Sequence, residues 1–423
     1  MINVFQPSLG QEELSAVAEV FADNWLGHGP RTGRFEAEFA AHLGVPAEQL
    51  IFISSGTAGL YLSTELLGLG PGDEVVMPTI SFVSAGNAVA ATGARPVFCD
   101  VDPHTLNPTA EHVERMLTDR TRAVLVLHYG GHPGDIAAIA RLCEERGVPL
   151  IEDSACSVAS RAGGRACGTF GALSVWSFDA MKLLSTGDGG MLYVADPELA
   201  ARARRLAYHG LTHVSGLSAA QSARAAGTKD ATAAETAEAM ETEASAPLGS
   251  GVHGPGARVP VRWWELDVRD FGRRVVGNDL TAAIGSVQLR RLDGFLARRR
   301  AISAAYDRLL AGLDGVRLPP SPPAGHTSSP YFYWVQLAPG VRDAVASDLL
   351  ERGIYTTFRY PPLHRVPAYG PCDQFLPGGE HASDTTLLLP LHQGLDNADV
   401  LRVATEFRAS VEARRPVRAG DAA

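Results

Sequence analysis

Among 37 basic residues in this 423-residue chain, only Lys182 and Lys229 are lysine; arginine supplies every other side-chain cation. Arginine keeps its proton in a protein, whereas a desolvated lysine can release one, and only a free amine attacks a carbonyl. Lys182 sits in the mainly apolar stretch Phe178-Asp179-Ala180-Met181-Lys182-Leu183-Leu184. A lysine kept there is a candidate Schiff-base former, although a stem that merely covers apolar surface fits the same pattern. Lys229 lies in low-complexity sequence and carries no such signal.

Three further motifs could serve that chemistry. Ser54-Ser55-Gly56-Thr57-Ala58-Gly59 follows an apolar run and opens a helical pattern. Small residues there let backbone N–H groups approach a phosphate, and a helix N-terminus favours its charge. A plain N-cap by Ser55 or Thr57 fits too, and the G-x-G-x-x-G spacing of a dinucleotide site is missing. Asp153, in Leu150-Ile151-Glu152-Asp153, ends an apolar run where open α/β sheets bind ligands; a helix-capping aspartate is the plainer reading. Ser177, five residues before Lys182, could donate to a phosphate, and Gly187, Gly189 and Gly190 permit a tight turn into the next strand.

The elements that must position these residues follow from periodicity. Between residues 48 and 195, strands are expected at 50–53, 74–77, 96–98, 123–127, 149–152, 173–177 and 190–194. Helices are expected between them at 58–67, 81–92 and 136–146. This alternation predicts an α/β fold with a mainly parallel sheet covered on both faces. A long helix is expected over 279–310, then a strand at 331–337 and helices at 341–352 and 398–411. The expected division is a large domain over 1–300 and a smaller C-terminal α+β domain over 301–423. Residues 211–262 break the pattern: twelve of the 29 residues from 218 to 246 are alanine, and no aromatic residue lies between Tyr208 and Trp263. Such sequence lacks anchors to bury itself and is expected to be a mobile insertion.

Composition narrows the function. A net charge of −10 gives no electrostatic reason for a nucleic-acid partner. No apolar run approaches a membrane span, and no basic-then-apolar leader opens the chain. Five cysteines without CxxC pairing fit a reducing compartment, so a cytoplasmic enzyme without a metal is expected.

Several motifs recur together in order: Gly29-Pro30 with Phe35-Glu36, Ser55-Gly56-Thr57, Pro78-Thr79-Ile80-Ser81-Phe82 through Asn87-Ala88-Val89, and Glu152-Asp153. The block from Ser177 to Gly190 follows, then Ala282-Ala283-Ile284-Gly285 with Gln288-Leu289, and Tyr360-Pro361-Pro362-Leu363-His364. In these the chain resembles the DegT/DnrJ/EryC1/StrS family of sugar aminotransferases, over nearly its whole length outside 211–262. The resemblance implies the type I (aspartate-aminotransferase-like) fold of pyridoxal 5'-phosphate (PLP) enzymes. It implies that Lys182 forms the Schiff base with PLP and that Asp153 pairs with the pyridine nitrogen. Gly56, Thr57, Ala58 and Ser177 match phosphate-binding positions, Phe82 the aromatic stacked on the cofactor ring, and His364 with Tyr360 positions near the sugar.

Two departures stand out. Cys156 occupies a position, near the cofactor's phenolic oxygen, that is often Gln in the family. Arg274-Val275-Val276-Gly277 replaces an Asn-Tyr-Arg-Met signature that reaches the neighbouring subunit's cofactor phosphate, so Arg273 or Arg274 would have to supply that contact.

The resemblance further implies a homodimer with shared active sites, L-glutamate as amino donor and a nucleotide-linked ketosugar as acceptor. The expected reaction converts dTDP-4-keto-6-deoxy-D-glucose to its 4-amino sugar. Amination of a 3-ketosugar or of scyllo-inosose is a rival, as is a PLP-binding member that does not transaminate. Lys182 argues against the sugar dehydratase branch, which has histidine at that position.

Overall fold

The computed structural model describes residues 1–212, 266–371 and 373–414. Lys229 and nearly all of the expected insertion therefore lie outside the described residues. The central sheet is built from β1 (Leu50–Ile53), β2 (Glu74–Pro78), β3 (Arg95–Cys99), β4 (Thr121–Leu127) and β5 (Leu150–Asp153). After a small hairpin, β6 (Arg161–Ala162) and β7 (Arg165–Ala166), it gains β8 (Leu173–Ser177) and β9 (Gly190–Val194). The order is β1-β9-β8-β5-β4-β2-β3. Neighbours from β8 to β3 run parallel, while β9 is antiparallel to both β8 and β1.

The strands read as unbroken apolar runs because both faces are covered. On one face Ile51, Ile53, Val75, Met77, Leu125 and Val175 pack with Leu60 and Leu66 of the helix over Gly56–Leu66. On the other, Val76, Val124 and Val126 pack with Ile136, Ile139 and Leu142. The outer edge of β1 is not left open: Ser54 N–H donates to Val275 O (2.7 Å) and Gly277 N–H to Phe52 O (2.8 Å). That pairing satisfies an edge that would otherwise invite association.

Helices α1 (Gln11–Ala22) and α2 (Pro30–Leu43) precede the sheet. Phe35 and Phe39 of α2 meet Phe52, Trp176 and Phe178 in a buried ring cluster, with centroids 5.1 Å apart for Phe35–Phe52 and 5.4 Å for Phe39–Trp176. Each such ring, fully buried, contributes roughly 1.5–3 kcal/mol. Between the strands and after them come α3 (Gly56–Leu66), α4 (Val83–Ala90), α5 (Ala110–Glu114), α6 (Ile136–Arg146) and α7 (Pro197–Ala207). The long helix α8 spans Asp279–Leu310, opened by Asn278 capping Thr281 N–H at 3.0 Å. It can lie on α2 because Gly285 faces Phe35, where a Cβ would come within 2.6 Å of the ring.

The C-terminal part forms an antiparallel sheet of β10 (Val316–Arg317), β11 (Tyr333–Leu337) and β12 (Thr386–Leu389), backed by α9 (Arg342–Glu351) and α11 (Asn397–Glu412), with α10 (Pro377–Thr385) leading into β12. The strand expected from residue 331 begins at Tyr333 instead. Tyr331 N–H donates to Gly130 O (3.0 Å), which turns Tyr331 and Phe332 out of the ladder. The chain's first residues also join this part. Ile2 N–H donates to Gly353 O (2.8 Å), Tyr355 N–H to Ile2 O (2.9 Å), and Leu391 N–H to Val4 O (3.2 Å). Among the described residues no helix is long and apolar enough to cross a membrane.

Candidate active site

The ends of β5 and β8 and the start of α3 meet at one point. Ser55 caps α3, its Oγ accepting from Ala58 N–H at 3.1 Å. The helical amides of Gly56 and Thr57 have no earlier turn to pair with, so they are free for an anion. Gly56 is there because β8 is close: a Cβ on it would lie 2.9 Å from the Cβ of Ser177 and 3.4 Å from its Oγ. Small residues thus place a helix N-terminus and a serine hydroxyl side by side.

Asp153 closes β5 and is 3% exposed. Among the described residues its carboxylate accepts one hydrogen bond, from Ala155 N–H at 3.1 Å. Burial pushes its pKa up, and the Ala155 amide with the charges of Lys182 and His128 offsets only part of that. A buried carboxylate so sparsely satisfied suits a cationic N–H partner. Its neighbour Glu152 differs: it accepts from Gly168 N–H (2.6 Å) and Gly171 N–H (2.7 Å) and pairs with His128 Nε2 (2.8 Å), which fixes the strand end.

Lys182 lies in the loop between β8 and β9. Phe178 N–H donates to Gly189 O (2.9 Å), Thr186 N–H to Phe178 O (2.9 Å) and Lys182 N–H to Asp179 O (2.8 Å), so the loop is closed at its base. Lys182 Nζ sits 4.8 Å above the Tyr331 ring. Burial disfavours its ammonium, but the surroundings supplied by Tyr331, Cys156, Asp153 and Asp179 outweigh this and hold the pKa above the usual lysine value. Cys156 is buried, which raises its thiol to about 11. Tyr360 offsets part of that rise in Cys156 and packs its ring 5.3 Å from Phe82. Phe82 itself is 45% exposed, an aromatic face open to a planar ligand.

Two further expected residues have partners within their own chain. Both ring nitrogens of His364 are engaged, Nδ1 with Thr79 Oγ1 at 2.6 Å and Nε2 with Glu380 Oε1 at 2.9 Å. Neither is left for a sugar, so the side chain ties the Tyr360 segment to the end of β2. Arg274 is exposed and lies over the Tyr208 ring, 5.5 Å from its centre, while Arg273 pairs with Glu65 at 2.9 Å. Neither arginine enters the site formed by its own chain's Lys182 and Asp153.

These residues fit PLP: an anion cradle at Gly56, Thr57 and Ser177, a buried carboxylate for a ring nitrogen, an open aromatic face and an amine. A family model described as the DegT/DnrJ/EryC1/StrS aminotransferase family matches residues 7–408. The chain belongs to this family.

As a DegT/DnrJ/EryC1/StrS aminotransferase, the chain is a PLP-dependent enzyme with the type I PLP fold. It is 58% identical, over 97% of each sequence, to the dTDP-4-dehydro-2,3,6-trideoxy-D-glucose 4-aminotransferase of Saccharopolyspora spinosa. The crystal structure of the aminotransferase TlmJ from Streptoalloteichus hindustanus matches with a TM-score of 0.85 and 57% identity, covering 98% of this chain and 99% of that one. S. venezuelae DesV, in complex with a ketimine intermediate, matches with a TM-score of 0.76 and 30% identity over 96% and 95% of the two chains.

Sequence reasoning missed Tyr331, Arg359 and His128 within this family member's site. Arg359 lies over Phe5, 4.9 Å from the ring centre, and its backbone carbonyl accepts from the Tyr129 hydroxyl. His128 directly follows β4, at the same end of the sheet as Asp153, and that position was the one available signal.

Proposed function

We propose that this enzyme aminates C4 of a dTDP-linked 4-keto-6-deoxyhexose, with L-glutamate as donor. The observation that carries this reading is the end-to-end similarity to the S. spinosa enzyme, whose name specifies a 4-keto sugar and 4-amination. That relative's sugar lacks the 2- and 3-hydroxyls, which favours a deoxygenated acceptor over dTDP-4-keto-6-deoxy-D-glucose.

Bound PLP supplies an electron sink for the carbon that loses its proton. In our reading, the amides of Gly56 and Thr57, the Ala58 turn and the Ser177 hydroxyl bind its phosphate. Phe82 would cover its ring, Cys156 would lie on the side of its phenolic oxygen, and Asp153 would keep a proton on its ring nitrogen. Lys182 Nζ would be the amine that holds the cofactor's aldehyde and, once freed by the donor amine, the base that moves the proton lost from the donor's α-carbon. Tyr360 borders the sugar, and His364 positions Tyr360.

We further propose two identical subunits, with Arg274 of each reaching the other's phosphate site, and a division into a large domain over 1–300 and a small one over 301–423.

The test is spectroscopic first and then chemical. L-Glutamate added to the PLP-loaded enzyme should bleach the visible absorbance of the lysine-bound cofactor. The bleached enzyme is then offered dTDP-linked 3- and 4-ketosugars, with and without the 2- and 3-hydroxyls, and scyllo-inosose. Recovery of absorbance only with scyllo-inosose or a 3-ketosugar would overturn the proposed acceptor; no bleaching with any donor would overturn transamination.

A further inference from the structure

Arg299, midway along α8, has no exposed surface and no carboxylate partner among the described residues. Burying a guanidinium without a counter-charge is costly, and burial, offset in part by Tyr331, lowers its pKa to about 10. What the fold gains must lie in its hydrogen bonds. Nη1 donates to Pro330 O (3.2 Å) and Tyr331 O (3.3 Å), and Nε to Gln393 Oε1 (3.0 Å). Tyr331 is therefore held on both sides of its backbone, its N–H by Gly130 O and its carbonyl by Arg299. Its ring stacks on Phe5, with centroids 5.7 Å apart and planes 14° apart, and presents itself to Lys182 Nζ at 4.8 Å.

We propose that Arg299 is a positioning residue for Lys182: by clamping the Tyr331 carbonyl it holds the Tyr331 ring where the lysine ammonium rests, and so sets how readily that amine is released. This rests on the reading of Lys182 as the reactive amine. The other groups facing that amine are Asp153, Cys156 and Asp179, with Arg359 acting on Tyr331 and Cys156. An ammonium over a desolvated aromatic face gains enough that losing the face raises the free-amine fraction about tenfold. A phenylalanine keeps that face, whereas leucine does not.

The scarcity of lysine makes the amine directly measurable. In the full-length chain carrying Lys229→Arg, Lys182 is the only lysine left. With cofactor removed, the protein is pulsed with dilute acetic anhydride across a pH series, and Lys182 acetylation is read by mass spectrometry. Tyr331→Leu and Arg299→Met should each move the labelling profile to lower pH, with about tenfold more labelling at neutral pH. Tyr331→Phe should follow the parent, and Arg299→Lys should restore most of the parent profile. Because Arg299 acts through Tyr331, the double variant Arg299→Met/Tyr331→Leu should go no further than either single.

Additive shifts, or an Arg299→Met midpoint equal to the parent's, would overturn the proposal. So would a change in plateau rate with an unmoved midpoint, which reports access rather than acidity. If circular dichroism shows that Arg299→Met does not fold, Tyr331→Leu decides: an unmoved midpoint there removes the ring from the argument. Bleaching of the loaded parent by L-glutamate is scored separately, so the transamination reading can fail without this proposal, and the reverse.

Discussion

Thr79 Oγ1 and His364 Nδ1 lie 2.6 Å apart, joining the end of the second sheet strand to the segment that carries Tyr360. Glu380 holds the other ring nitrogen at 2.9 Å. Replacing His364 by alanine leaves a buried hydroxyl and a half-buried carboxylate short of a partner. We expect a loss of about 1–3 kcal/mol of stability, read as a lower urea midpoint. A change in KM for the sugar with no loss of stability would instead make His364 a substrate contact.

Gly56→Ala puts a methyl group against Ser177 at 2.9 Å. The helix start or the serine must shift, and both border the anion cradle. Cofactor retention should weaken about tenfold or more, since a displaced charge-assisted hydrogen bond costs on the order of 1.5–3 kcal/mol. Visible absorbance at limiting PLP measures it, and a parent-like titration would remove Gly56 from the phosphate site.

Asp153→Asn preserves shape and removes the charge. Because burial already pushes the Asp153 carboxyl up, the native charge needs its cationic partner, and the amide offers no substitute. Bleaching by glutamate should slow by roughly a hundredfold or more, with PLP still bound. Lys182→Arg should abolish the visible absorbance outright, whereas Lys229→Arg should leave it unchanged.

His392, buried in the C-terminal part, is held down to about 4 by burial and by the nearby Arg299 charge. His42 and His132 are lowered too, both chiefly by burial. Each is neutral in the fold but takes a proton more readily when unfolded. The unfolded chain therefore binds more protons as pH falls below the ordinary histidine value near 6.5, and stability falls with it toward pH 4. The Tm should drop across that window, and His392→Asn should flatten the drop. An equally steep profile in the variant would show that His392 does not contribute.

The strands that carry Asp153 and Ser177 were legible because doubly covered strands are unbroken apolar runs, and their ends mark the ligand side of the sheet. The α3 start was legible from its small residues. Tyr331 was not, since its sequence context reads as the start of a strand; only the distant Gly130 carbonyl turns it inward. His364 was placed near the sugar by resemblance alone, and its ties to Thr79 and Glu380, 285 and 16 residues away, were not legible. Arg299 is one of several arginines along the long helix, and periodicity cannot tell a guanidinium bound to backbone carbonyls from one in water.

Ile2, Val4 and Phe5 complete a wall whose other members are Gly353, Leu391, Tyr331 and Arg359. In time as well as space this is a long reach. These early residues must wait, unpaired, until the ribosome has made the last third of the chain. A nascent chain that stops before residue 331 lacks the aromatic floor beneath Lys182, so the amine is seated only when synthesis is nearly over.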